Sequence, residues 1–309
     1  MAFPKLPAGL LRSRLAHPSG MVRMVLDTDT YNEIDDQFAL VYALLSPEKL
    51  KVEATYAAPF TNDRSSGPGD GMEKSYEEIL RLLERMHVEH EGFAFRGSTE
   101  YLTGRSAPER SPAALDLIER AMAAPEDDPL YIVAIGAITN VASAVRIAPE
   151  IIRRIVVVWL GGQPVRIPRT PEFNMMQDLE ASRLMFESGL PLVQIPCIGV
   201  SSHLLTTKAE LEQSITGCNP VADFLYERFC EYSSDHFAYA KEIWDISSIA
   251  YLLNEDWVPT ELIPSPILND DFSYAQPPAG RHEIRAAWQI RRNPIFKDLF
   301  QKLRAIGKD

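Results

Sequence analysis

Cysteine is scarce in this 309-residue chain, which carries only Cys197, Cys218 and Cys230. An odd count at these spacings excludes a disulfide framework and the paired patterns of structural zinc sites. Cys197, inside the apolar run 193–200, reads as a small buried hydrophobe. Long apolar runs are missing too: nothing approaches the ~20 residues of a membrane-spanning helix. Met1 to Arg23 holds basic residues and scattered leucines without the apolar centre of a secretory signal. Positive charge is in deficit, with 31 basic against 43 acidic residues and a formal net charge of −12. Nucleic acid and anionic membrane surfaces are therefore poor partners. No Gly/Ser-rich or charge-block linker interrupts the chain. Residues 22–309 are expected to form a single domain, with 1–21 as an N-terminal extension and the cytoplasm as default location.

What is present is an alternation of short apolar strands with longer helical stretches, the pattern of a mostly parallel sheet with helices on both faces. The expected strands are 22–26, 51–58, 93–95, 130–135, 155–160 and 192–195. The expected helices are 38–45, 72–86, 111–123 with Ser111 as N-cap, and 141–147, followed by a largely helical stretch from Lys208 to Asn254. The runs 130–135 and 155–160 are continuous and β-branched, as interior strands buried on both faces require. Residues 255–309 resist assignment.

The strongest chemical signal lies where the first strand ends. Asp27-Thr28-Asp29-Thr30-Tyr31-Asn32-Glu33-Ile34-Asp35-Asp36 packs four aspartates and a glutamate into one loop before an apolar helix. In open parallel sheets this is where ligands bind. One helix cap needs one aspartate, and so many carboxylates repel each other unless a cation sits among them. Ca²⁺, which takes 6–8 oxygen ligands in irregular geometry, suits such a cluster. Asp27-Thr28-Asp29-Thr30 after an apolar strand also resembles the haloacid dehalogenase phosphatase signature, with Asp27 as nucleophile.

The chain as a whole resembles the inosine/uridine-preferring nucleoside hydrolase family. That family opens on an aspartate loop of the form Asp-x-Asp-Pro-Gly-x-Asp-Asp; here the loop is two residues longer and lacks the Pro-Gly. Further segments recur in the family's order: Gly136-Ala137-Ile138-Thr139-Asn140, Val158-Trp159-Leu160-Gly161-Gly162, Pro171-Glu172-Phe173-Asn174, and Ile243-Trp244-Asp245-Ile246. The resemblance covers about residues 22 to 255. It implies a nucleoside hydrolase-like α/β fold and cleavage of an N-ribosidic bond. It also implies Ca²⁺ held by Asp29, Asp36, the carbonyl of Thr139 and Asp245, with Asp29 as general base. Asp35 and Asn174 would then contact the ribose hydroxyls, Glu172 the 5′-hydroxyl, and Asp27 would orient the loop. A small ribosyl substrate and a homodimer or homotetramer belong to the same expectation.

Two departures fall on the base-recognition side. Many relatives place a proton-donating histidine just before the late aspartate, whereas this chain has Trp244, which can stack on a base or simply pack but cannot act as an acid at neutral pH. Tyr239, Lys241 and His236 are nearby in sequence as substitutes. After the second strand the family often has Gly-Asn, and here Asn62 is the candidate for that role. The glycine-rich tract 66–71 reads as a surface loop or a lid. A non-catalytic protein that binds a ribosyl ligand remains the alternative to a hydrolase.

Overall fold

The computed structural model describes residues 3–123, 125–167 and 171–307. Eight strands form the central sheet: Val22–Thr28 (β1), Leu50–Ala57 (β2), Ala94–Arg96 (β3), Leu130–Ala134 (β4), Ile155–Leu160 (β5), Leu192–Ile195 (β6), Thr260–Pro264 (β7) and Glu283–Ala287 (β8). Their order is β3-β2-β1-β4-β5-β6-β8-β7. Every neighbouring pair is parallel except β8 with β7, an antiparallel edge. The chain builds outward from β1 through β2 to β3, then returns to lay β4 on the other side of β1. That reversal opens a crevice beyond the carboxyl ends of β1 and β4, the usual ligand position in such sheets.

The interior strands read as continuous apolar runs because both sheet faces are buried. Met24 and Leu26 of β1, Tyr131 and Val133 of β4, and Val156 and Val158 of β5 point to one core. Val25, Leu130, Ile132, Val157 and Trp159 point to the other. The eleven helices named here are Ala8–Arg14 (α1), Asp35–Leu44 (α2), Pro68–Arg85 (α3), Pro112–Ala123 (α4), Thr139–Ile147 (α5), Phe173–Gln177 (α6), Leu179–Glu187 (α7), Lys208–Ser214 (α8), Pro220–Tyr232 (α9), Ile246–Leu253 (α10) and Arg292–Ala305 (α11). Helices α2, α3, α9, α10 and α11 cover the first face, and α4, α5 and α7 the second. Ser111 caps α4 as the sequence predicts, its Oγ accepting from the Ala114 N–H at 3.2 Å.

Several expectations need correction. The segment set apart as an extension folds onto the sheet: Leu11 and Leu15 are core residues, Arg12 forks onto Glu283 at 2.7 and 2.9 Å, and Arg285 donates to the Leu15 carbonyl. The glycine-rich tract is neither loop nor lid, because Pro68 opens α3 there. Gly71 faces the Phe60 carbonyl so closely that an added Cβ would lie 2.1 Å from it, so a small residue is what the packing demands. The stretch from Lys208 to Asn254 is broken after Tyr232, where Lys241–Glu242 pairs antiparallel with Leu205–Thr206. The unassigned C-terminal segment supplies β7, β8 and α11. Among the described residues no helix is long and apolar enough to cross a membrane.

Candidate active site

The aspartate loop leaves β1 at the switch point. Asp27 is still inside the strand, fully buried, and accepts a hydrogen bond from Asn140 Nδ2 at 2.8 Å. The same amide nitrogen reaches the Ala57 carbonyl, and Asn140 Oδ1 accepts from the Ser98 N–H at 2.7 Å. Asparagine 140 thus ties β1, β2 and the turn after β3 together behind the site. Asp27 supports the loop and does not line the cavity, so the phosphatase reading has no accessible nucleophile. Burial pushes its carboxyl up to about 7.

Asp35 and Asp36 open α2 without capping it: the N-cap residue is Ile34 and makes no side-chain cap bond. They instead meet Asp245, which leads into α10, and one carboxylate oxygen from each of the three lies within 4.8 Å of the others. Thr28 Oγ1 donates to Asp36 Oδ1 at 2.5 Å, fixing that carboxylate. Asp29 is only 1% exposed, and neither of its carboxylate oxygens has a protein partner. Burial, with repulsion from Asp36 and Asp35, drives Asp29 far above the normal carboxylate range. Asp245 is raised in the same way, by burial and by its three acidic neighbours. Burial also lifts Asp35 to about 7 and Asp36 to about 6.

Such a cluster is costly as protein alone, since buried charge is tolerated only when paired or coordinated to a metal. An orphaned, buried carboxylate amid hard oxygen donors fits a divalent cation, and the donor set suits Ca²⁺. Gly136, just beyond β4, leaves space for the Asp29 carboxylate: a Cβ there would lie 2.9 Å from it. Thr139, the first residue of α5, is buried and is not among the residues that line the cavity described below. Its hydroxyl donates to Asp178 Oδ2 at 2.8 Å, so the hydroxyl is already engaged.

The cluster forms part of the wall of a cavity of about 280 Å³. Glu172, Asn174 and Trp244 also line it. Glu172 is the N-cap of α6 and accepts from three backbone N–H groups, those of Gly162, Asn174 and Met175, at 2.7, 2.9 and 2.9 Å. Asn174 Nδ2 donates at 3.0 Å to the carbonyls of both Ile135 and Leu160. Both amide hydrogens are engaged at the ends of β4 and β5, which leaves Oδ1 for a ligand.

Asn62 is not brought to this cavity. It lines an adjoining pocket, and its Nδ2 donates to Asn32 Oδ1 at 2.7 Å; Asn32 is the residue that reaches the cavity wall. Tyr239 and His236 likewise stand off, packed with Phe229. Lys241 is engaged by Glu33 at 2.6 Å. Cys197 is half-buried: it packs against the first core, as its apolar run suggests, and also lines the cavity. Sequence reasoning also passed over Asn32, Glu33 and Gln163. The lengthened loop was the available signal for the first two, and Gln163 had none.

A doubly wound sheet with a cavity at its switch point, acidic along part of its wall, is an arrangement that can take a cation and a small polar ligand. The family model for inosine-uridine preferring nucleoside hydrolases matches residues 24–283. The chain belongs to that family. It is 30% identical over 260 residues to a pyrimidine-specific ribonucleoside hydrolase of Enterobacter sp. (strain 638), covering 75% of this chain and 79% of that one. It is 27% identical over 261 residues to a non-specific ribonucleoside hydrolase of Escherichia coli, covering 76% and 81%. A plant nucleoside hydrolase superposes with a TM-score of 0.74 at 20% identity over 93% of this chain and 100% of the other. A purine-preferring ribonucleoside hydrolase from Gardnerella vaginalis gives 0.71 at 19%, covering 92% and 98%.

Proposed function

We propose that this protein hydrolyses the N-ribosidic bond of ribonucleosides with one Ca²⁺ held by Asp29, Asp36, Asp245 and the Thr139 carbonyl. The observation that carries this reading is the Asp29 carboxylate, buried at the switch point with both oxygens unpartnered. When bound, the ion acidifies a water and gathers the sugar hydroxyls. Asp29 takes the proton of the attacking water as general base. Asp35 and Asn174 Oδ1 hold the ribose hydroxyls. Glu172 accepts from the 5′-hydroxyl with the lone pairs its three backbone donors leave over. The carboxylates around the sugar stabilise the oxocarbenium-like state formed as the bond to the base breaks.

The test is free-ribose release from a panel of purine and pyrimidine ribonucleosides, before and after chelation and on adding Ca²⁺ back. Release that stops with chelator and returns with Ca²⁺ supports the proposal; no release from any member overturns it. Trp244 on the cavity wall favours a second reading, a ribosyl-binding protein without turnover, because the ring offers a stacking face and no acid. Binding of a ribose analogue with no release from any nucleoside would select that reading. Assembly as a homodimer or homotetramer and residence in the cytoplasm complete the proposal; sedimentation velocity checks the first.

A further inference from the structure

A second cavity, of about 270 Å³, opens at the amino ends of β1 and β4, the opposite end of the parallel strands from the aspartate cluster. It shares no wall residue with the cavity beside that cluster. Arg14, the last residue of α1, lines it and is only 8% exposed. Its Nε is buried without a partner, and no hydrogen bond or ion pair holds the rest of the guanidinium among the described residues. The other two basic side chains in the wall are committed elsewhere. Arg23 forks onto Glu53 at 2.8 and 3.0 Å, and His17 donates from Nε2 to the Tyr251 carbonyl at 2.6 Å. An arginine stays charged inside a protein, and a buried charge is tolerated only when it is paired. Arg14 therefore calls for an anion that the chain itself does not supply.

The rest of the wall narrows the choice of anion. Asp127 and Asp128, exposed on the turn before β4, line the same cavity and make its solvent edge acidic. Inorganic phosphate and other multiply charged anions meet repulsion there, whereas a ligand whose carboxylate is accompanied by an ammonium group satisfies both ends. Met21, 53% exposed, and Pro129 give the same wall an apolar part. We propose that this cavity is a binding site for a small apolar amino acid: its carboxylate accepts from the Arg14 fork, its ammonium group donates to Asp127 or Asp128, and its side chain covers Met21 and Pro129. Hydrogen bonds between a guanidinium and a carboxylate are charge-assisted and roughly twice as strong as neutral ones. The site is separate from the reaction proposed above and does not depend on it.

Leucine is the probe, with two matched analogues that each lack one charge: isocaproate, without the ammonium group, and isoamylamine, without the carboxylate. Isothermal titration calorimetry of the full chain at constant ionic strength should show leucine binding at least about tenfold more tightly than either analogue, the scale of a hydrogen bond to a charged group. Arg14→Met keeps an unbranched stem without the guanidinium and should weaken leucine binding by a similar factor. Asp127→Asn combined with Asp128→Asn changes only exposed side chains and should bring leucine and isocaproate to nearly equal affinity, which decides the matter even where Arg14→Met does not fold. No leucine binding at millimolar concentrations, equal affinity of leucine and isocaproate for the wild type, or full leucine binding by folded Arg14→Met overturns the proposal. A doubly substituted protein that keeps the wild-type preference does so as well.

Discussion

Replacing Asp29 by Asn should stabilise the metal-free protein and abolish its response to Ca²⁺. In the metal-free wild type Asp29 is buried beside Asp36 and Asp245 with no protein hydrogen-bond partner for either oxygen, and burial with their repulsion raises its carboxyl far above the usual range. Leaving a polar group unmatched in the interior costs about 1–3 kcal/mol, and an amide of the same shape carries no charge and can donate to the carboxylates beside it. Unfolding entropy near 2.1 cal/mol/K per residue gives this chain about 0.65 kcal/mol/K, so the substitution should raise the metal-free Tm by about 2–5 °C. Ca²⁺ at a hundred times its Kd stabilises the wild type by about 2.7 kcal/mol, or about 4 °C. The variant should show little of that second shift, because it has lost a ligand. Differential scanning calorimetry of both proteins, with chelator and with Ca²⁺, measures all four values. A metal-free variant less stable than the wild type, or one that keeps the full Ca²⁺ shift, would refute the reasoning that this carboxylate waits for a cation.

The same carboxyls set a pH dependence. Their folded-state values lie above the unfolded one, with Asp35 at about 7 and Asp36 at about 6. The metal-free protein therefore holds more protons folded than unfolded between about pH 4 and 7, and this group's contribution to stability falls as pH rises through that window. The Tm difference between Ca²⁺-loaded and metal-free protein should widen from pH 5 to pH 8; a constant difference would contradict it. Gly136→Ala puts a Cβ against the Asp29 carboxylate and should weaken Ca²⁺ binding about 10- to 100-fold by calorimetric titration, the scale of losses around metal ligands. Trp244→Ala removes an aromatic wall of the cavity and should raise KM for nucleosides about tenfold with a smaller change in kcat, as the loss of a base-stacking surface does. An unchanged KM would assign Trp244 to packing.

The sheet was legible because its strands are buried on both faces. Ile155–Leu160 and Leu192–Ile195 match the expected bounds, and Leu130–Ala134 differs by one residue. The C-terminal strands were not, since β7 is a half-exposed antiparallel edge containing Pro264, without an apolar run. The glycine-rich tract misled for a physical reason: proline and glycine usually punctuate a chain, but here they open a helix pressed against the Phe60 carbonyl. Within the site, the acidic residues were recognisable by their crowding and by family order. Asn32 and Glu33 were not singled out, because their place in the wall comes from where a lengthened loop folds and, for Glu33, from the distant Lys241 and Tyr232 that hold it. Asp178 accepts from the Leu102 and Thr103 N–H groups and from the hydroxyls of Thr103 and Thr139. A hub of that kind depends on contacts across 39 to 76 residues, which local sequence does not display.

The most direct test of the account is a crystal structure of the protein grown with Ca²⁺, with the ion located by its anomalous signal. The account predicts one ion within about 2.3–2.6 Å of oxygens from Asp29, Asp36, Asp245 and the Thr139 carbonyl. Carboxylates that diverge around water, with no ion between them at saturating Ca²⁺, would contradict it.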